Sequence, residues 1–296
     1  MSRARRGITL VELVVAMAVG GIVLALLAAI SVSQQRLHAD VAARLGLAEQ
    51  LQQAATLLPV ELRMIAIDAG DLREARDTAV EFRSTIASAV VCDTIAGGVV
   101  LAPAEGRDST YAGFMTSINA GDTAWMLSAL DSADQWSSYA IASAARVAGG
   151  ACNTAGPKLS ALEQLVSRVG LHLTPQPPLA PSLGAVVRVT RPSRYSLYRG
   201  GDGRWYLGAR EWNAATSQFN TIQPVSGPFS SAAAHGLEFR YFDSSGAQLA
   251  RPVANTRDVA LIRVAIRGQS KPVMRAFSGG KASDSALAAV SMRNRR

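Results

Sequence analysis

Glu12 is the residue most clearly placed to do chemistry, because it stands where a charge is costly. It is the only ionisable side chain from Ile8 to Ser31, a run of 24 residues, and about 20 apolar residues suffice to cross a bilayer core as a helix. A carboxylate near the bilayer centre costs about 2.5–3.5 kcal/mol on the insertion scale. Glu12 lies closer to the end that Arg3, Arg5 and Arg6 precede, where the cost is smaller but real. An ionisable group in such a segment is a functional candidate whose partner must be named. The chemistry open to it is ionic: pairing with a cation in low dielectric, where attraction is strong and an unpaired charge is costly.

Cys92 and Cys152 are the second candidate pair. They form no C-x-x-C motif and have no histidine at metal-ligand spacing, which argues against zinc. In an oxidising compartment they would be joined as a disulfide, and closing that loop would restrict the unfolded chain by roughly 4 kcal/mol. Two buried free thiols are the alternative. His38, His172 and His235 are far apart and read as ordinary exposed or half-buried residues. Asp243, in FDSSG, lacks the alternating acids of a calcium loop. Asp202 reads as a turn residue. Trp125, Trp136, Trp205 and Trp212 read as core or sheet-face residues. There is no G-x-S-x-G elbow and no Walker loop; SGGKAS lacks the upstream glycine. With no catalytic constellation, metal set or cofactor motif, the sequence points away from an enzyme.

The elements that must position Glu12 follow from the hydropathy pattern. The apolar run passes after Ser31 into a polar stretch with a helical stripe at Leu37, Val41, Leu45, Ala48, Leu51, Ala55 and Leu58. This predicts one continuous helix, spanning at 8–31 and amphipathic at 32–58, roughly 77 Å long at the usual rise. Pro59 should break or kink it. From 59 to 296 the pattern is short and alternating. PVELRMIAIDAGDLREARD reads as a short helix and loop, and KLSALEQLVSRVG as another short helix. Val80 and Phe82 share one face of TAVEFRS. RYSLYRGGDGRWYLGAREW is the clearest hairpin, with Tyr195 and Leu197 on one arm and Trp205 and Leu207 on the other flanking the turn Gly200–Gly203. GLEFRYFDSSG and DVALIRVAIRG are further strands, the second with a parity shift between Leu261 and Ile262 that implies a bulge or burial of both faces. The fold class expected is α+β, a long N-terminal helix on an antiparallel sheet, with one lobe or two left open.

The chain carries 30 Lys+Arg against 22 Asp+Glu, a net charge of +8. The leading arginines act as topology signals, and the others are scattered among apolar residues instead of forming the clustered face that nucleic-acid binding needs. The residues alone leave several readings of the N-terminus: a cleaved secretory signal ending at Ala29-Ile30-Ser31, a twin-arginine signal on Arg5-Arg6, or a plain anchor with Glu12 reaching the interface.

RRGITLVEL also resembles the class III signal of type IV pilins and pseudopilins: a basic leader, glycine, a hydrophobic residue, Thr-Leu, one more residue, then glutamate. The resemblance makes 1–7 a leader containing Arg5 and Arg6, Gly7 its last residue, Ile8 the first mature residue, and Thr9 and Leu10 the signal pair. The family's usual first mature residue is phenylalanine; Ile8 departs from it. The resemblance implies cleavage after Gly7 by a prepilin peptidase and methylation of the new amino terminus at Ile8. Glu12 would then neutralise the Ile8 amine of a neighbouring subunit, so a correctly offset pair of helices is selected. SLYR, GLEFRYFD and ALIRVAIRG further resemble the C-terminal part of J-type minor pseudopilins and W-type minor pilins. The likeness is close over residues 1–35 and loose over 194–267; residues 95–190 match no pattern of the family. It implies a single-pass inner-membrane protein with a periplasmic domain. Its partners would be other pilin or pseudopilin subunits, the prepilin peptidase and the inner-membrane assembly platform.

Overall fold

A computed structural model of the chain describes residues 10–67, 69–103, 111–130, 133–177, 181–269 and 283–292. A single α-helix, α1 (Leu10–Arg63), opens it. Pro59 does not end this helix, which continues to Arg63, five residues past the boundary expected at Leu58. Leu58, Pro59 and Leu62 are all buried there, so packing of the last turns outweighs the lost backbone bond.

Among the described residues fourteen strands follow. They are β1 (Leu72–Ala75), β2 (Ala79–Ile95), β3 (Gly98–Leu101), β4 (Ala112–Phe114), β5 (Thr123–Leu130), β6 (Ala133–Val147), β7 (Arg168–Thr174), β8 (Val186–Arg199), β9 (Trp205–Asn213), β10 (Gln218–Phe219), β11 (Gln223–Phe229), β12 (Leu237–Phe242), β13 (Leu261–Gln269) and β14 (Ser283–Ser291). β1 to β11 form one eleven-stranded sheet and β12-β13-β14 a second. The α+β class is thus as the sequence predicts, a long helix against antiparallel sheet. The short helix expected within KLSALEQLVSRVG is only a 3-10 turn at Glu163–Leu165, and β7 begins three residues later.

Two cores organise the molecule. In the first, Leu47, Leu51, Ala54, Leu58 and Leu62, spaced four, three, four and four residues apart, form the buried stripe of α1. They pack against Ile262, Val264, Ile266 and Val290 of the small sheet, together with Phe82, Tyr195, Leu207, Phe239 and Tyr241. Each such leucine contributes about 1.5–3 kcal/mol on burial. Parity in β13 is regular: Ile262, Val264 and Ile266 are buried on one face and pair in unbroken register with β12 and β14. The bulge or two-faced burial expected at Leu261–Ile262 is absent, because Leu261 lies at the strand's start on the other face. Tyr241 is sealed in this core and its hydroxyl donates to the Arg76 carbonyl at 2.9 Å; burial raises its pKa.

The second core is enclosed. The pairings β2–β3, β3–β7, β7–β6, β6–β5, β5–β8 and β8–β2 close a ring. Alternate residues fill it: Ala87, Ala89 and Val91 from β2, Val99 and Leu101 from β3, Ala124 and Met126 from β5, Ile141 from β6, Leu171 and Leu173 from β7, Val187 and Val189 from β8. A closed barrel of this size has room only for its own side chains. Its β2–β3 turn needs glycine twice. Gly97 has φ +72°, and a Cβ on Gly98 would lie 1.9 Å from the Leu171 carbonyl oxygen. The long strands β2 and β8 run through both cores, which therefore share one continuous framework.

Candidate functional site

The signal residues Arg5, Arg6, Gly7, Ile8 and Thr9 lie outside the described residues. Leu10 and Glu12 are on the first turns of α1 and are exposed. The helix forms here because leucine, valine and alanine dominate and no proline intervenes; Gly20 and Gly21 are accommodated without a break.

Large apolar side chains cover every side of the first part of α1, and those from Leu10 to Val32 are exposed. A helix that is apolar all round needs a membrane or a protein interior around it. It is long and apolar enough to cross a membrane, and its most apolar stretch makes no burying contact with the domain. Burial begins at Leu47. Glu12 is 35 residues upstream, roughly 50 Å along the axis, so no side chain of either core reaches it.

Cys92 and Cys152 are joined, with Cα atoms 4.8 Å apart. Cys92 points out of the barrel from β2, opposite in parity to Val91, and packs with Ala102 and Leu159. The bond pins the segment between β6 and β7 against the barrel wall. Arg168 reinforces this by donating from Nε and Nη2 to the Ala148 carbonyl and from Nη1 to the Ala151 carbonyl, each at 3.2 Å. Ser160 and Glu163 cap the 3-10 turn reciprocally: the Ser160 N–H donates to Glu163 Oε2 at 2.7 Å and the Glu163 N–H to Ser160 Oγ at 3.3 Å.

The remaining candidates fall into structural roles. Asp202 accepts from the Tyr206 hydroxyl at 2.6 Å and the Arg204 N–H at 3.0 Å in the β8–β9 turn, and these bonds lower its pKa. Asp243 accepts from the N–H groups of Ser245 and Ala247. Trp125 is half-buried, with Nε1 donating to Thr190 Oγ1 at 3.1 Å and the Arg83 guanidinium 5.3 Å above its ring. His38 lies on α1, His172 on β7, and His235 in a left-handed cap after a 3-10 turn.

Residue-level reading of the sequence missed the charged layer where β2 and β8 pass from one core to the other. Asp71 is fully buried; its Oδ2 accepts from Arg188 Nη2 at 2.6 Å and from the Ala66 N–H at 2.8 Å. Arg191 grips Asp122 with both Nε–Oδ1 at 2.7 Å and Nη2–Oδ2 at 2.8 Å, and that pairing raises its pKa. The signal was available in VVRVTRPSRYS, where arginines interrupt a strand with apolar alternation, but Asp71 and Asp122, the buried carboxylates that Arg188 and Arg191 hold, are more than 60 residues away in sequence.

Residues 2–28 match the family described as the prokaryotic N-terminal methylation motif. The chain carries a type IV pilin-like prepilin signal on an apolar helix, and such a signal implies prepilin-peptidase processing and assembly with other pilin-type proteins. No curated protein and no solved structure matches the chain.

Proposed function

We propose that this protein is a minor pilin or minor pseudopilin, cleaved after Gly7 and methylated at Ile8. It is held in the inner membrane by a single helix until it joins a type IV pilus or a type II secretion pseudopilus. The observation that carries this reading is the match over residues 2–28 on a helix whose apolar part is bare and whose distal part is docked into a folded domain. The Cys92–Cys152 bond supports a periplasmic domain, since disulfides persist in oxidising compartments. The domain following α1 is large for a repeating shaft subunit, which supports a minor one. Its work in this reading is assembly with other pilin-like subunits and the inner-membrane platform, without catalysis, and the carboxylate of Glu12 neutralises a neighbour's Ile8 amine.

Mass spectrometry of the intact protein and its N-terminal peptide, purified from native membranes, tests the processing. The expected chain begins at Ile8 and carries one additional methyl group. A chain beginning at Met1 or after Ser31 would remove the proposed partner of Glu12 and end the filament reading. Glu12→Ala should leave membrane insertion intact and abolish incorporation into filaments. A fully incorporated Glu12→Ala protein would overturn the paired-charge account.

A further inference from the structure

The barrel is closed by β2, β3 and β7 at one level, but beyond the end of β3 its wall parts. β4 continues the wall on one side, and the ends of β6 and β7 form the other. Between them lies a cleft of about 430 Å³. Its floor is apolar: Phe114, Ile118 and Val169 border it and pack on the barrel core beneath. Met115 on its rim is 68% exposed, a flexible side chain of the kind that adapts to varied partners.

Two features give this cleft its chemistry. The first is a strand edge. β4 pairs with β2 as Ala87↔Phe114, Ser88↔Gly113 and Ala89↔Ala112. The flanking bonds run from the Val90 N–H to the Tyr111 carbonyl and from the Met115 N–H to the Ile86 carbonyl. That alternation turns Tyr111, Gly113 and Met115 toward β2, and directs the N–H and C=O groups of Ala112 and Phe114 to the opposite edge. Among the described residues neither group has a hydrogen-bond partner. The second feature is charge. Arg146 pairs with Val169 across β6–β7 and is exposed. At the strand's end it stands on the rim of the cleft, where it engages no group among the described residues. Arg168 also borders the cleft, and among the described residues no carboxylate does.

We propose that this mouth binds an extended, acidic segment of a partner polypeptide as a strand added to β4. Main-chain bonds go to Ala112 and Phe114, alternate apolar side chains of the segment rest on Phe114, Ile118 and Val169, and a carboxylate pairs with Arg146. This binding surface is independent of the filament reading, since it rests on the barrel alone.

The test uses the full chain in detergent micelles and a dye-labelled hexapeptide of alternating valine and aspartate, read by fluorescence anisotropy. The acidic peptide should bind, with slowed hydrogen exchange over residues 111–118. Arg146→Glu should weaken binding by about tenfold or more, the scale of one charge-assisted contact, whereas Arg146→Lys retains most of it. Methylating the peptide's alternate backbone nitrogens should abolish binding. The proposal is overturned by no binding at about 1 mM peptide. Equal binding of a valine–lysine peptide, unchanged affinity in Arg146→Glu, or protection confined to other segments would also overturn it. Circular dichroism of both Arg146 variants matching the parent protein assigns any loss to the site.

Discussion

Reducing the Cys92–Cys152 bond should loosen the barrel far more than the docked end of the helix. The bond spans a sequence separation of 60, and β3, β4, β5 and β6 all lie between its ends. Loop-closure entropy for that length is about 4 kcal/mol, lost from the stability of the folded state when the cross-link is removed. The native arrangement should survive, because Arg168 and the Ser160–Glu163 cap still hold the β6–β7 segment in place. The assay is amide hydrogen exchange on the full chain in detergent, oxidised against reduced, with peptides resolved by mass. Where exchange reports the opening equilibrium, about 4 kcal/mol corresponds to roughly a thousandfold faster exchange in β3 and β7. Residues 47–62 of α1 belong to the other core and should accelerate less. Unchanged exchange in β3 and β7 would refute the loop-closure argument. Equal acceleration in α1 would show that both cores open as one unit, and the separate barrel core would have to be abandoned.

Two further outcomes follow from the charged groups. Asp71→Ala removes a fully buried partner of Arg188 and should cost about 3 kcal/mol, near the lower end for breaking a buried pair because Arg188 keeps Thr85 Oγ1 and the Met64 carbonyl. A urea midpoint within error of the parent protein would contradict that. Glu238 is buried among Arg240, Arg251 and Arg267; its pKa is lowered, chiefly by the hydrogen bond from Arg240 and against the opposing effect of burial. A depressed carboxylate contributes stability above its unfolded pKa of about 4.3, and loses it as pH falls through the lower folded value. Urea midpoints measured from neutral pH downward should therefore drop more steeply below about pH 4.3 for the parent protein than for Glu238→Gln. Parallel curves would show that the arginine cluster does not act through this charge.

What the sequence decided by itself is mostly local or spaced at short range. The span, the arginines before it and the odd position of Glu12 can be read directly, because membrane insertion depends on composition over one helix length. The hairpin across Gly200–Gly203 was also legible, since its turn chemistry sits between two alternating strands. Cys92 and Cys152 could be named as a pair on compartment grounds, and the tertiary structure joins them. Pro59 does not break the helix although proline disfavours a helix interior locally, because burial of Leu58 and Leu62 is decided by strands almost 200 residues away. The Leu261–Ile262 parity misled for a related reason: which face of β13 is buried depends on α1 and β12, not on the strand's own letters. Only tertiary structure could close the barrel, because its ring depends on β2 pairing with both β3 and β8, one contact short in sequence and the other about a hundred residues apart. The mouth beside β4 exists for the same reason. Arg146 is a surface residue, and only the strand register sets it at the edge where the wall opens.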